Sequence, residues 1–355
     1  MIYKLLYPDS YDITPSNLEK YHKKLSLIKS KIDKYQNEWD KIKRIINDYE
    51  YIYISHNRNK NISKIIPISR SFFKLTEMIN DHRLITNENN KCFCIAEAPG
   101  GFIQSLLKLN NISDIYGITL ISENKEIPHW NTNILKEKKV KILKGKNNNG
   151  DICNITNVLS IINELGHESM DFITGDGGFD YSSDYNKQEY NSIPLIYSEI
   201  FLSLNLQKKG GSFICKIFDI FNKTTIQLIY ILTKCYHNIY FHKPSISRIS
   251  NSEKYIICIG YKGYNKEIIN DLMRSFSNPY NLDIKIDSNF EYEICKFNEY
   301  YIDNQINQIN KGIHLIEKKI FSKPNHYQIK KAIEWCNKYK IPINKDCFYY
   351  KKYYN

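Results

Sequence analysis

Cys92-Phe93-Cys94-Ile95-Ala96-Glu97-Ala98-Pro99-Gly100-Gly101-Phe102 is the stretch that decides the fold. A short apolar run reads as a buried strand over 92–96. Pro99, Gly100 and Gly101 break it with a tight turn, and the residues that follow read as a helix over 102–109. Only three alanines occur in the chain, Ala96, Ala98 and Ala332, and two of them flank Glu97 here. Of 14 glycines, 13 fall between Gly100 and Gly263. Glycine allows tight turns and close backbone approach to a ligand, so the working part of the chain is expected in this middle region.

Working outward, apolar runs alternate with helical periodicity. A helix is expected over 69–80 and strands over 115–120 and 140–143. A helix over 155–165 precedes a strand over 170–174, and a helix over 192–206 precedes a strand over 211–218. A helix over 224–236 is followed by strands over 238–242 and 255–261. The alternation predicts an α/β fold, Rossmann-like and doubly wound, with a mostly parallel seven-stranded sheet. Ligands bind such sheets beyond the carboxyl ends of the strands. Residues 66–263 form the expected domain, with helical extensions over 1–65 and 264–355. Periodicity predicts helices over 18–46, starting after Thr14-Pro15-Ser16, and over 304–319 and 326–338.

Composition narrows the class of protein. The 355 residues carry a net charge of +12, with 25% charged and 42% hydrophobic residues. That is the make-up of an ordinary folded protein with a polyanionic partner, although a codon bias toward Lys, Asn, Ile and Tyr contributes to it. The start of the sequence lacks a signal-peptide pattern, and no apolar run reaches membrane length. The expected protein is soluble and intracellular, with no membrane partner. Nine scattered cysteines suit free thiols in a reducing compartment. Cys92 and Cys94 have no partner pair at zinc-ligand spacing, so no metal is expected.

The candidate site residues follow the strands. Gly100 and Gly101 open the backbone at the start of a helix, whose N–H groups suit an anionic ligand group. The G-x-G-x-x-G pattern of a pyrophosphate site is absent, and the turn suits the amino-acid end of a methionine better. Asp176 stands in Thr174-Gly175-Asp176-Gly177-Gly178-Phe179, directly after a strand. Lys216 interrupts the apolar run of Phe213-Ile214-Cys215-Lys216-Ile217-Phe218, where an unpaired charge is costly. Lys74 and Glu253 are two further charges beside apolar runs, and each alone reads as a surface group.

Taken together, APGGF, DGGF, GGSFICKIFD and SNSEKYIIC resemble the FtsJ-like RNA ribose 2′-O-methyltransferases, and more narrowly the branch that acts on eukaryotic-type mRNA caps. The likeness is good over roughly 66–263 and weakens to about residue 343. It implies a class I methyltransferase fold with S-adenosylmethionine as cofactor and S-adenosylhomocysteine as product. It implies that Lys74, Asp176, Lys216 and Glu253 form a catalytic tetrad. Ala96, Glu97, Ala98, Pro99, Gly100, Gly101 and Phe102, with Ser69, would hold the methionine part of the cofactor, and Asp151 and Ile152 the adenine. Asn186, Lys187, Gln188 and Asn251 would contact RNA. Glu97 departs from the small residue common in relatives, close to where the cofactor's carboxylate would lie.

The partner implied is the 5′ end of capped mRNA, and other capping enzymes or RNA polymerase are candidate partners. The expected reaction methylates the ribose 2′-hydroxyl of the first transcribed nucleotide. Two alternatives are methylation of rRNA or tRNA and a silent RNA-binding subunit of a capping complex. The composition suits a large DNA virus, placing the protein in the cytoplasm, or an AT-rich eukaryote, placing it in the nucleus. Lys216 is the expected base, with burial and Lys74 lowering its pKa against the opposing pull of Asp176 and Glu253. Tyrosine-rich stretches such as Tyr51-Ile52-Tyr53 and Tyr349-Tyr350 offer aromatic faces for a methylated guanine.

Overall fold

The computed structural model describes residues 1–5, 18–124, 126–178, 185–321 and 325–354. In chain order the strands and α-helices are β1 (Ile2–Lys4), α1 (Leu18–Ile32), α2 (Gln36–Ile45), α3 (Ser71–His82), β2 (Asn90–Ile95), α4 (Gly101–Leu106), β3 (Ile112–Ile118), β4 (Val140–Ile142) and α5 (Ile155–Leu165). Then come β5 (Met170–Gly175), α6 (Gln188–Leu206), β6 (Gln207–Ile217), α7 (Lys223–Cys235), β7 (Tyr236–His242), β8 (Lys254–Tyr261), α8 (Lys266–Ser275), α9 (Ser288–Glu317), α10 (His326–Lys338) and α11 (Phe348–Tyr354).

The strands form one sheet in the order β1-β7-β8-β6-β5-β2-β3-β4. Strands β4, β3, β2, β5 and β6 run parallel, whereas β8 is antiparallel to both β6 and β7. The sheet has eight strands rather than the expected seven. The extra one is β1, which pairs Ile2 with His242 and Lys4 with Tyr240. Three residues are too few for alternation to reveal a strand, and pairing supplies the order instead.

Strand residues divide the core by the period of two. Phe93 and Ile95 pack with Phe213, Cys215 and the buried faces of α5, α6 and α7. Cys92 and Cys94 point the other way, onto Leu75 and Met78 of α3 and Phe102 and Ile103 of α4. Both cysteines are free and buried, filling space as small apolar groups. The chain moves outward through β2, β3 and β4, then returns to place β5 on the other side of β2. The crevice at the carboxyl ends of β2 and β5 is therefore the switch point where such sheets hold ligands.

The periodic stretch 18–46 is two helices rather than one, separated by a 3-10 turn at Asp33–Tyr35. The break lets both halves use one partner: Leu25 packs on Ile302 and Ile306, and Ile42 and Ile46 pack on Ile316. That partner, α9, is 30 residues long, and the helix expected over 304–319 is its second half. Thr14, Pro15 and Ser16 lie outside the described residues. Ile52, Tyr53 and Ile62 join Trp335 and Cys336 of α10 in a further core against Phe72 and Phe73 of α3. No helix among the described residues is long and apolar enough to cross a membrane.

Candidate active site

The turn after β2 lies at the switch point. Gly100 has φ +113° and precedes the first turn of α4, a conformation that favours glycine. A Cβ on Gly101 would lie 2.1 Å from the Ser71 Oγ and 2.2 Å from the Ser69 Oγ. Ser69 is thus packed directly against the turn, and Asn131 N donates to Pro99 O at 3.0 Å from the far side. The Glu97 side chain lies beneath the turn, 3% exposed. It accepts from Phe102 N at 2.6 Å and Ile103 N at 3.4 Å, so it occupies the start of α4. Burial pushes its carboxyl well above the usual range, and the Phe102 N–H only partly offsets that.

Asp151 and Ile152 lie past the end of β4, next to β3. Asp151 Oδ1 accepts from Cys153 N at 2.9 Å, and Asn157 Nδ2 donates to Asp151 O at 2.9 Å. Ile152 is buried.

The four charged residues widely separated in sequence meet at the carboxyl end of β5. Lys74 Nζ, in the first turns of α3, lies 2.7 Å from Glu253 Oε1. Lys216 Nζ lies 3.3 Å from Asp176 Oδ1 and donates to Asp176 O at 2.7 Å. Their side chains are 12–17% exposed, so they are sheltered yet reachable. Tyr255 links the pairs: its hydroxyl donates to Asp176 Oδ1 at 2.8 Å, and its ring lies 5.8 Å from Lys74 Nζ. Ser247 Oγ donates to Glu253 Oε1 at 2.7 Å. Burial raises the Glu253 pKa, but Lys74, Lys216 and Lys243 outweigh it and hold the carboxylate ionised.

Lys216 departs from expectation. Burial does disfavour its charge, but Asp176, Glu253 and Glu199 outweigh burial and raise its pKa above the ordinary lysine value. The expected lowering by Lys74 does not prevail, because Lys74 is itself paired with Glu253. The carboxylates around Lys216 favour its ammonium form.

Asn186 and Lys187 lie in the 3-10 turn Tyr185–Lys187, which leads into Gln188 at the start of α6. Both are exposed. Phe179, the last residue of DGGF, lies outside the described residues. Asn251 is exposed, and its Oδ1 accepts from Lys243, which also donates to Glu253 O. The tyrosine stretches meet, but Tyr51 and Tyr349 stand edge to face at 5.1 Å. That pair leaves no parallel slot for a base.

Several residues that build the site escaped the sequence reading. Lys29 of α1 donates to Asp219 at 2.8 Å and to Ser252 at 2.9 Å, bracing the residue before Glu253. Lys254 is buried against Phe218 O, and burial lowers its pKa to about 8. Glu199 and Glu189 grip loops from α6. A lone carboxylate in Ile193-Pro194-Leu195-Ile196-Tyr197-Ser198-Glu199-Ile200-Phe201 was the available signal.

Residues 67–261, more than half of the chain, match the FtsJ-like methyltransferase family. Among curated relatives, a cap-specific mRNA (nucleoside-2′-O-)-methyltransferase 1 of Trypanosoma brucei brucei is 26% identical over 66% of this chain and 66% of its own length. A cap-specific mRNA (nucleoside-2′-O-)-methyltransferase 2 of Danio rerio is 29% identical over 59% of this chain and 29% of its own length. The baculovirus Autographa californica nuclear polyhedrosis virus has a cap-specific mRNA (nucleoside-2′-O-)-methyltransferase that is 29% identical over 53% of this chain and 71% of its own length. The chain thus spans just under two thirds of the trypanosome relative and under a third of the zebrafish one. With the switch-point crevice and its paired charges, the match over 67–261 makes this chain a member of the FtsJ-like methyltransferase family.

Proposed function

We propose that this chain is an S-adenosylmethionine-dependent mRNA cap nucleoside 2′-O-methyltransferase acting on the first transcribed nucleotide. One observation carries the reading: the Lys74–Glu253 and Lys216–Asp176 pairs converge beside a glycine turn at the sheet's switch point. Cap-specific enzymes among the relatives favour capped mRNA as the substrate.

The residues at this turn suit the cofactor. No lysine or arginine stands in 95–102 to meet a diphosphate, and Ser69 with the glycine turn suits a small zwitterion. S-adenosylmethionine supplies a methyl carbon already activated for displacement by that sulfur. The ribose 2′-oxygen forms the new C–O bond as the C–S bond breaks, and the hydroxyl proton must leave. Lys74 and Glu253 hold one wall of the ribose site, and Asp176 and Tyr255 hold the other. Alignment of this kind contributes up to roughly 7–11 kcal/mol in favourable cases. As the base, Lys216 must first shed its own proton, and general base catalysis is worth about 10²–10⁴-fold. Its raised pKa favours a second role, in which the ammonium stabilises the developing alkoxide while the hydroxyl proton passes to solvent.

Methyl transfer from radiolabelled cofactor to capped and uncapped short RNAs, with the modified nucleotide mapped, tests the function. Transfer to the first nucleotide of capped RNA supports it. Equal transfer to uncapped rRNA or tRNA fragments would replace it with the broader RNA reading. The pH profile separates the two roles of Lys216: the rate climbs with pH if the free amine acts and falls at alkaline pH if the ammonium acts.

A further inference from the structure

Asp176 is bracketed by Gly175 and Gly177, and Glu199 lies against both glycines, joined at Gly177 by Leu195. A Cβ on Gly175 would lie 2.6 Å from the Glu199 Cδ, and a Cβ on Gly177 would lie 2.6 Å from the Glu199 Oε1. The carboxyl of this α6 residue therefore fills the space under the turn. Gly177 N donates to Glu199 Oε1 at 3.0 Å, and the Cys215 thiol donates to Oε2 at 3.2 Å. Glu199 is fully buried. No lysine or arginine among the described residues forms an ion pair with it, and the cation that faces it is Lys216.

We propose that Glu199 is a positioning residue of the catalytic centre, fixing the Asp176 turn from beneath and holding Lys216 in its ammonium form. The proposal deepens the catalytic reading above and rests on it for its consequence in turnover. Geometry supports both halves: the peptide joining Asp176 to Gly177 donates its N–H to Glu199 Oε1 at 3.0 Å and accepts from Lys216 Nζ through its C=O at 2.7 Å, so the carboxyl and the amine hold opposite sides of one peptide. The groups facing Glu199 are Cys215 and Lys216 on β6, Asp176 after β5, and Cys153 before α5. Burial raises the Glu199 carboxyl to about 7, against the pull of Cys215, Lys216 and Gly177 N–H. The carboxyl is thus ionised above neutrality and neutral below it, and its hold on the Lys216 proton is strongest on the alkaline side.

Glu199→Gln keeps the shape and the acceptor for Gly177 N while removing the charge. The full-length wild type and variant are labelled with trace, isotopically coded acetic anhydride, and modification of the Lys216 peptide is read by mass spectrometry. The reagent reacts with free amine, so it reports the deprotonated fraction without requiring turnover. At pH 8.5 the variant is expected to label at least about threefold faster, equivalent to half a pKa unit. At pH 6 the two proteins are expected to label alike, because the wild-type carboxyl is then neutral. Equal labelling at pH 8.5, or a difference that persists unchanged at pH 6, would overturn the proposal; the latter marks mere loosening of the turn. Glu189→Gln, which removes a buried carboxyl of the same helix that grips Phe221 N and Asn222 N, is expected to leave Lys216 labelling unchanged. An equal rise in that variant would also overturn the proposal. Methyl transfer by Glu199→Gln is measured separately. A rate that rises with labelling assigns Lys216 as the base, and absent transfer to any RNA defeats the catalytic reading while the labelling result stands.

Discussion

The turn after β2 and the turn after β5 share a design, since each carries paired glycines and lies over a buried glutamate. Glu97 sits under the first and accepts N–H groups from the start of α4. Glu199 sits under the second and accepts from Gly177 N. What differs is the company they keep. Glu97 spends its acceptor capacity on helix N–H groups, and its carboxyl is pushed well above the usual range. Glu199 also takes the Cys215 thiol, and its carboxyl is raised to about 7. Burial thus favours the neutral acid beneath the proposed cofactor cradle, whereas the acid beneath the proposed reaction centre is raised only to about 7. The identity of a buried acid says little about its charge until its neighbours are known.

The largest effect is expected at the charged turn: Lys216→Met should reduce methyl transfer by about 10²–10⁴-fold, with S-adenosylhomocysteine affinity by calorimetry within about twofold of wild type, on the scale of general base catalysis. A matching loss of affinity would mean that the two turns are not separable. Next comes Gly101→Ala, whose Cβ would collide with Ser69 and Ser71. It should destabilise the fold by about 1–3 kcal/mol and weaken cofactor binding, read by thermal melting with and without S-adenosylhomocysteine.

Glu97→Ala should cost about 1–3 kcal/mol in chemical denaturation, because Phe102 N–H loses its buried acceptor. The smallest and most diagnostic change is Glu97→Gln. A carboxyl whose pKa is raised by folding keeps a proton that the unfolded chain releases. Its contribution is therefore greatest at low pH, below the unfolded value, and is lost as pH rises toward the folded one. Glu97→Gln removes that slope, so the variant should gain on wild type between pH 5 and 8. A stability difference independent of pH would show that Glu97 is ionised.

Sequence periodicity carried the parallel half of the sheet well. The strand over 140–143 and the helix over 155–165 stand almost where alternation put them, as Val140–Ile142 and Ile155–Leu165. Local pattern suffices there because each element buries one face on its neighbours. The edge strand β1 was not legible, since its order comes from pairing with residues 240–242. The convergence of Lys74, Asp176, Lys216 and Glu253 was legible only through the motifs that carry them. Their charge balance was not, because Glu199, 17 residues before Lys216 in sequence, is brought by the fold beneath the same peptide that Lys216 binds. Lys29 and Lys243 escaped for the same reason: a lysine in a helix or beside a strand gives no local sign of which carbonyl or carboxylate it will reach.

The helix that presents Lys74 has a second face, which is not covered by the sheet. Phe72 and Phe73 lie in the core shared with Tyr53 and Trp335, and Trp335 Nε1 donates to Glu77 on that same helix at 2.7 Å. Trimming the chain to 67–261 would strip this cover, leaving two phenylalanines and a buried glutamate bare within one turn of Lys74. It would also free Asp219 and Ser252 from Lys29. A shortened protein cut at the borders of family likeness is therefore a poor reagent for assigning the activity, because its silence would report a lost scaffold rather than a missing chemistry.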